Sequence, residues 1–294
     1  MKITVVVEEG QHPSCVSEFG LSLFLENEGG TFLFDTGAGE ALLPNLKALG
    51  IPLEKCKKVI LSHGHYDHTG ALAKLAPEEL WFCPGVEDPQ YSRHADGTMH
   101  KISMPEDSLA VARSVKLATP MNLFDYIGYG IFLTGPIPRV SPENCGGDFY
   151  HDEACTLKDT VPEEQALLTT EGVLVTGCCH AGIINTLLHC HKVLPELPVH
   201  TVVGGLHLKN ADEVRLEQTA NILKQFKVKR LCLMHCTGEN AIAYLKEHLP
   251  EVPQCAALIH ELRGLGINLE GEHISTVEGC ADILAKALTK KAKK

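Results

Sequence analysis

Short apolar runs of strand length recur along the chain, each bounded by turn residues. KITVVVEE, LSLFLEN, TFLFDTG, KVILSH and ELWFCP come before about residue 86, and QALLTT, GVLVTGC, HTVVGG and RLCLMH after about residue 163. Their length and their Val, Leu, Phe and Thr content predict strands. Segments of helical period lie between several of them. GEALLPNLKALG sets Leu42, Leu46 and Leu49 at helical spacing and closes on Gly50. ADEVRLEQTANILKQF places Val214, Ala220, Leu223 and Phe226 on one face, with Asp212 as N-cap. GENAIAYLKEHLP is a third helix, ended by Pro250, and LLHCHKVL reads as a fourth. Strands first and then alternating helices and strands is an order that occurs twice. It predicts an α/β fold of two packed sheets with helices outside. The stretch at about 86–162 is rich in Gly, Pro and Asp and contains one predicted strand, YGIFLTGPIPR. It reads as a loop-rich insertion in a single domain spanning 1–294, and long loops of this kind serve as lids.

At 294 residues the chain can bury a sizeable core without disulfide staples. Its formal net charge of −11 repels phosphate backbones, which argues against nucleic-acid binding. The clearest basic cluster, KALTKKAKK at the C-terminus, reads as a solvated helix end. No apolar run approaches the ~20 residues of a membrane span. The start, MKITVVVEEGQ, is too short for a signal peptide and reads as a first strand, so a cytoplasmic protein is expected. Twelve cysteines are scattered with no C-x-x-C pair, which removes the zinc-ribbon reading and predicts reduced, mostly core thiols. Cys178, Cys179 and Cys236 stand apart because each adjoins a histidine or lies two residues from one.

The densest chemistry is VILSHGHYDHTGAL, with His63, His65, Asp67 and His68 crowded behind an apolar strand. Residues two apart in extended backbone point the same way, so the His63 and His65 rings reach one ion. Gly64 between them permits a tight path. Asp67 and His68 lie where the chain turns towards a helix and point apart, which suits a second ion. Imidazole and carboxylate together suit Zn²⁺, Fe²⁺ or Mn²⁺. A solvated His-rich loop is the bland alternative, and four ligand types at one strand end speak against it. No G-x-S-x-G elbow, P-loop or G-x-G-x-x-G is present to offer a competing chemistry.

SHGHYDH resembles the H-x-H-x-D-H signature of the metallo-β-lactamase superfamily, and FLFDTGAG is similar to the strand and turn that precede it there. Farther on, LVTGCCHAGIIN, VVGGLHL and MHCTG resemble one branch, the dihydropterin–ribofuranosylaminobenzene-phosphate synthase-like metal-dependent hydrolases. The matching segments run in the same order from residue 1 to about 260. The resemblance implies an αββα sandwich with a metal site at one edge of the two sheets. It implies two divalent transition-metal ions, zinc first, with iron or manganese as alternatives. His63, His65 and His180 would hold the first ion, and Asp67, His68 and His235 the second. His207, at another strand end, is a lesser candidate, placed to hydrogen-bond a substrate or its leaving group. The superfamily's T-P-G-H turn is missing, and Cys178 stands about where a bridging Asp or Cys is usual. His189 and His191 face different ways on their helix and read as ordinary surface or core residues. Asp35 reads as a support that hydrogen-bonds the histidine loop.

The expected function is a metal-dependent hydrolase that uses a metal-bound hydroxide on a small ester, phosphoester or lactone, with Asp67 orienting the hydroxide. A phosphate-bearing substrate would find cations in Arg139, Arg93 and Lys209, each of which reads equally as a plain surface charge. The alternative is an iron-dependent redox enzyme on the same scaffold. A non-catalytic metal-binding module would lack ligands, and none of the first four is missing. β-Lactamase activity does not fit a chain read without an export signal, and a nuclease would carry an extended basic surface.

Overall fold

The computed structural model describes residues 1–10, 14–94, 96–143 and 147–253, together with the backbone of 266–268. The basic tail noted above lies outside the described residues. Three sheets and six α-helices are present among them, the short α2 (Tyr66–Thr69) carrying Asp67 and His68. The first sheet contains β1 (Lys2–Val7), β2 (Ser22–Asn27), β3 (Gly30–Phe34), β4 (Lys58–Ile60), β5 (Glu79–Phe82), β8 (Leu117–Pro120) and β17 (Gly266–Asn268). Its strand order is β17-β1-β2-β3-β4-β5-β8, parallel from β3 to β8. The second contains β9 (Asp125–Gly128), β10 (Ile131–Leu133), β13 (Leu167–Thr169), β14 (Val173–Thr176), β15 (Thr201–Gly204) and β16 (Arg230–Leu233). Its order is β16-β15-β14-β13-β10-β9, with β14, β15 and β16 parallel.

Strand alternation sorts the apolar side chains into three layers. Ile3, Val5, Leu23, Leu25, Phe32 and Phe34 of the first sheet meet Ile131, Leu133, Leu167, Val173, Val175 and Val203 of the second in one buried cluster. The intervening residues face outwards. Val6, Phe24 and Leu33 pack under α1 (Leu42–Ala48) and α3 (Glu106–Ser114). Leu174, Val202, Leu231 and Leu233 pack under α4 (Ile183–Val193), α5 (Glu213–Gln225) and α6 (Glu239–His248). Strands buried on both faces must read as near-continuous apolar runs, which is why VVV, LFL and FLF occur. The layers are helix, sheet, sheet, helix, the expected αββα sandwich.

Two local expectations change. Asp212 caps α5 as predicted, its side chain accepting from the Arg215 N–H. Val214, however, is 61% exposed, and the buried face of α5 is Arg215, Thr219, Ala220 and Leu223. The helix turns Arg215 inwards because its guanidinium donates to the carbonyls of Leu206 and His207. The stretch 86–162 also carries more regular structure than its composition predicts. It supplies α3, β8, β9 and β10, and a third sheet of order β12-β11-β6-β7. That sheet joins β6 (Tyr91–Arg93), β7 (Met99–Lys101), β11 (Phe149–Tyr150) and β12 (Lys158–Asp159). Strands of two or three residues are too short to show a period. No helix among the described residues is long and apolar enough to cross a membrane.

Candidate metal centre

Five loops converge at the carboxyl ends of parallel strands, the edge where open sheets of this kind present ligand sites. Asp35 follows β3 and His63 follows β4. Cys178 to His180 follow β14, His207 follows β15, and His235 follows β16. Asp35, Cys179, His207 and His235 all have left-handed backbone, with φ of 57°, 61°, 49° and 53°. Such a conformation costs a non-glycine residue on the order of 1 kcal/mol or more, and clusters at functional sites. Here it is held by hydrogen bonds from afar. The His235 N–H donates to Glu8 Oε1 at 3.1 Å, and Arg215 Nη1 donates to the His207 carbonyl at 2.8 Å.

Within the first-sheet half, fully buried Asp35 sets the tautomers. Its Oδ1 accepts the Ser62 N–H, and its Oδ2 accepts both the Ser62 hydroxyl and His68 Nδ1, all at 2.7 Å. With its proton given to Asp35, Ser62 Oγ accepts from His63 Nδ1 at 2.9 Å. Both His63 and His68 therefore carry the proton on Nδ1 and turn an Nε2 lone pair into the site. Gly64 is required for a different reason from the one expected. A Cβ there would stand 2.6 Å from the Val86 carbonyl oxygen, so the loop lies directly on the start of the middle segment.

From the second sheet, His180 Nε2 comes within 3.3 Å of His63 Nε2, which is also 3.0 Å from His65 Nδ1. His68 Nε2 lies 3.2 Å from Cys178 Sγ, and both His68 Nε2 and His235 Nε2 lie within 3.5 Å of Asp67 Oδ2. Donor atoms of His63, Cys178 and His180 lie within 4.8 Å of one another, and so do those of Asp67, His68, Cys178 and His235. Cys178 thus belongs to both groups. The buried Nε2 of His65 and Nδ1 of His235 have no hydrogen-bond partner, while His235 Nε2 faces Asp67 Oδ2 at 3.3 Å. Buried ring nitrogens without partners are costly unless a cation fills the space beside them. The donor set of imidazole, carboxylate and one thiol fits a divalent transition metal.

Electrostatics separate the two groups. Burial, reinforced by the neighbouring rings, pushes His63 and His180 well below the usual histidine range and brings His65 down to about 3, so these rings are neutral donors. Burial alone would raise the Asp67 carboxyl, but His68 and His235 outweigh it and hold it well below the usual range. Burial would lower His235, but its contact with Asp67 lifts it to about 10.

Of the predicted ligands, His63, Asp67, His68, His180 and His235 fall in these donor groups, His65 lies beside them without joining either, and the His207 ring stands 4.4 Å from that of His180. His189 and His191 do not join the site and instead meet Phe124 and Phe226. The cations considered for an anion are differently engaged. Arg139 donates to the carbonyls of His180 and Thr160, and Arg93 pairs with Asp148 at 2.7 Å. Lys209 is exposed, its backbone packed against Gly238. Sequence reasoning missed Glu164, whose buried carboxylate accepts the His180 and Ala181 N–H groups, both at 2.6 Å. Burial pushes this carboxyl up to about 7 against the pull of those amides. It also missed Glu163, which accepts from Gln90 at 2.6 Å and from the Gly64 N–H at 3.4 Å. The consecutive acids EE in VPEEQALL at the mouth of a strand were the available signal. Phe149 of the third sheet roofs the site, its ring 5.0 Å from His65 and 5.3 Å from His180. Phe19, 45% exposed, lies 5.2 Å from His235 at the other end of the histidine row.

Comparison with known proteins gives the same picture. The family model described as Metallo-beta-lactamase superfamily matches residues 17–148. The chain is 30% identical over 275 residues to 7,8-dihydropterin-6-methyl-4-(beta-D-ribofuranosyl)-aminobenzene-5'-phosphate synthase of Methanocaldococcus jannaschii, covering 85% of this chain and 92% of that protein. This chain belongs to the metallo-beta-lactamase superfamily. A solved metal-dependent hydrolase of the beta-lactamase superfamily superposes with a TM-score of 0.78 at 28% identity, over 92% of this chain and 100% of that one. The metallo-beta-lactamase fold protein YhfI from Bacillus subtilis shares the fold at 15% identity, with a TM-score of 0.50 over 86% of this chain and 95% of its own. Membership of the superfamily supports an enzyme on a metal-dependent, hydrolase-like scaffold.

Proposed function

We propose that the protein is a metal-dependent hydrolase of a small ester, phosphoester or lactone. Two divalent ions, zinc in the first instance, would be held by His63, His65 and His180 on one side and by Asp67, His68 and His235 on the other. Cys178 would lie between them. The observation that carries this reading is the convergence of buried donors from two sheets, with ring nitrogens that have no hydrogen-bond partner. When bound, such ions supply Lewis acidity, which lowers the pKa of water towards ~7 and stabilises negative charge on a carbonyl or phosphoryl oxygen.

The chain's own residues supply position. Asp67 Oδ2, held ionised between His68 and His235, accepts a hydrogen bond from the attacking water and orients it. Its low basicity suits orientation better than proton storage. His207 stands on the wall with a buried Nδ1 that has no partner, and its half-buried ring is placed to hydrogen-bond the substrate or its leaving group. Phe149 excludes water above the histidines. The Methanocaldococcus relative is named as the synthase of a 5'-phosphate, which supports a phosphate-bearing small molecule. The alternative is iron-dependent redox chemistry on the same scaffold. It draws on the Cys178 thiol, a soft ligand in both groups, and would show as a coloured, iron-containing preparation.

Turnover of a panel of phosphoesters and lactones by zinc-loaded protein tests the reading. Hydrolysis of at least one class is expected, and Asp67→Asn should lower it ~10²–10⁴-fold. A fully loaded protein that hydrolyses none of the panel contradicts the reading. Undiminished turnover in Asp67→Asn with both ions retained removes the role of Asp67.

A further inference from the structure

A third group of donors adjoins the two already described. Cys178 Sγ, Cys236 Sγ and a ring nitrogen of His207 lie within 4.8 Å of one another. Neither Cys236 nor His207 belongs to the two groups assigned to the hydrolytic ions. Cys236 Sγ accepts the His207 N–H at 3.3 Å and lies 3.4 Å from the Cys178 carbonyl oxygen. Gly205 makes the room: a Cβ there would stand 2.6 Å from Cys236 Sγ and 2.5 Å from the Gly177 carbonyl oxygen. The buried His207 Nδ1 has no hydrogen-bond partner, and its left-handed backbone is clamped at the carbonyl by Arg215. Two sulfurs and one imidazole are a softer donor set than imidazole with carboxylate, and they select different ions.

We propose that Cys178, His207 and Cys236 form a separate soft-donor site on the wall of the same cavity, which takes a thiophilic cation of the Zn²⁺ or Cd²⁺ type. Three protein donors leave a fourth tetrahedral position open. Binding holds both sulfurs as metal thiolates, and whatever thiol proton the pair carries is released to solvent. Cys178 is common to all three groups, so an ion in this site draws the sulfur away from the other two. A thiophilic ion would therefore displace or redistribute the hydrolytic ions rather than simply add to them.

The test is a titration of chelator-stripped protein with Cd²⁺, read by thiolate-to-cadmium ultraviolet absorption and by bound cadmium per chain. Cys236→Ser should lose about half of the thiolate band contributed by Cys178 and Cys236, with the remaining cadmium confined to the other two groups. A Cys236→Ser protein with the wild-type band overturns the proposal. Cadmium-113 NMR of the wild-type chain needs no variant. A strongly deshielded resonance is expected from two sulfurs and one nitrogen, and resonances of one-sulfur or nitrogen–oxygen ligation alone overturn it. The double variant His63→Ala, His180→Ala separates this proposal from the hydrolytic reading. It should lose a hydrolytic ion and keep the Cys236-dependent band. Loss of that band as well would show that the third group has no independent existence.

Discussion

The two halves of the metal centre are built by different means. In the first-sheet half, His63, His65, Asp67 and His68 come from six consecutive residues, and Asp35 and Ser62 fix the rings of His63 and His68 from adjacent strand ends. In the second-sheet half, His180, His207 and His235 come from three separate strand ends. Each is held through its backbone by a remote side chain: His180 by Glu164 and Arg139, His207 by Arg215, His235 by Glu8. The first half thus orients its rings through side-chain hydrogen bonds, and the second through the peptide chain beneath them. A ring fixed at Nδ1 keeps its tautomer and direction even without metal. A ring fixed only through its backbone depends on its loop keeping shape. The second half should therefore be the one whose metal affinity responds most to changes outside the site.

The largest effect is expected from breaking the first half at its hub. Asp35→Ala leaves the Ser62 N–H, the Ser62 hydroxyl and His68 Nδ1 buried without their acceptor. At ~1–3 kcal/mol for each orphaned group, chemical denaturation should show a loss of at least ~3 kcal/mol. An Asp35→Ala protein as stable as the parent would mean that the hub does not hold the loop.

A smaller and more selective effect is expected in the second half. Glu164→Gln keeps the shape but turns one amide –NH₂ towards the N–H of His180 or Ala181. Metal affinity on the His180 side should fall ~10–100-fold in a chelator competition, the usual cost of a lost supporting partner. Affinity on the Asp67 side should hold. Equal weakening of both ions would erase the distinction between the halves.

How much of this was legible in the sequence follows the same division. The contiguous motif announces itself, and its role needs only strand periodicity and ligand chemistry. The αββα layers are equally readable, because VVV, LFL and FLF are what double-sided burial requires. Glu164 could not be read in the same way, since its partners lie 16 and 17 residues away and only the folded sheets bring them together. Arg139 looked like a possible anion ligand, but backbone carbonyls of the His180 loop take its guanidinium. Periodicity alone puts Val214 on the buried face of α5, whereas the need of the His207 loop for Arg215 turns the helix the other way. Cys178 was seen near the bridging place, but its membership of three donor groups is a property of geometry, not spacing.

The smallest expected effect sharpens the comparison from above. Phe149 touches rings of both halves, packing on His65 and on His180 and His207. Phe149→Ala should leave metal stoichiometry unchanged and raise KM several-fold, the scale of ~1 kcal/mol for a lost aromatic contact. A loss of metal instead of a change in KM would make Phe149 part of the centre's framework, not its roof.

The most direct measurement of the account's central claim is anomalous diffraction at the zinc edge from crystals of the zinc-loaded chain. Two peaks are predicted, one among His63, His65 and His180 and one among Asp67, His68 and His235, with Cys178 beside both. A well-ordered map with no anomalous peak among these side chains would contradict it.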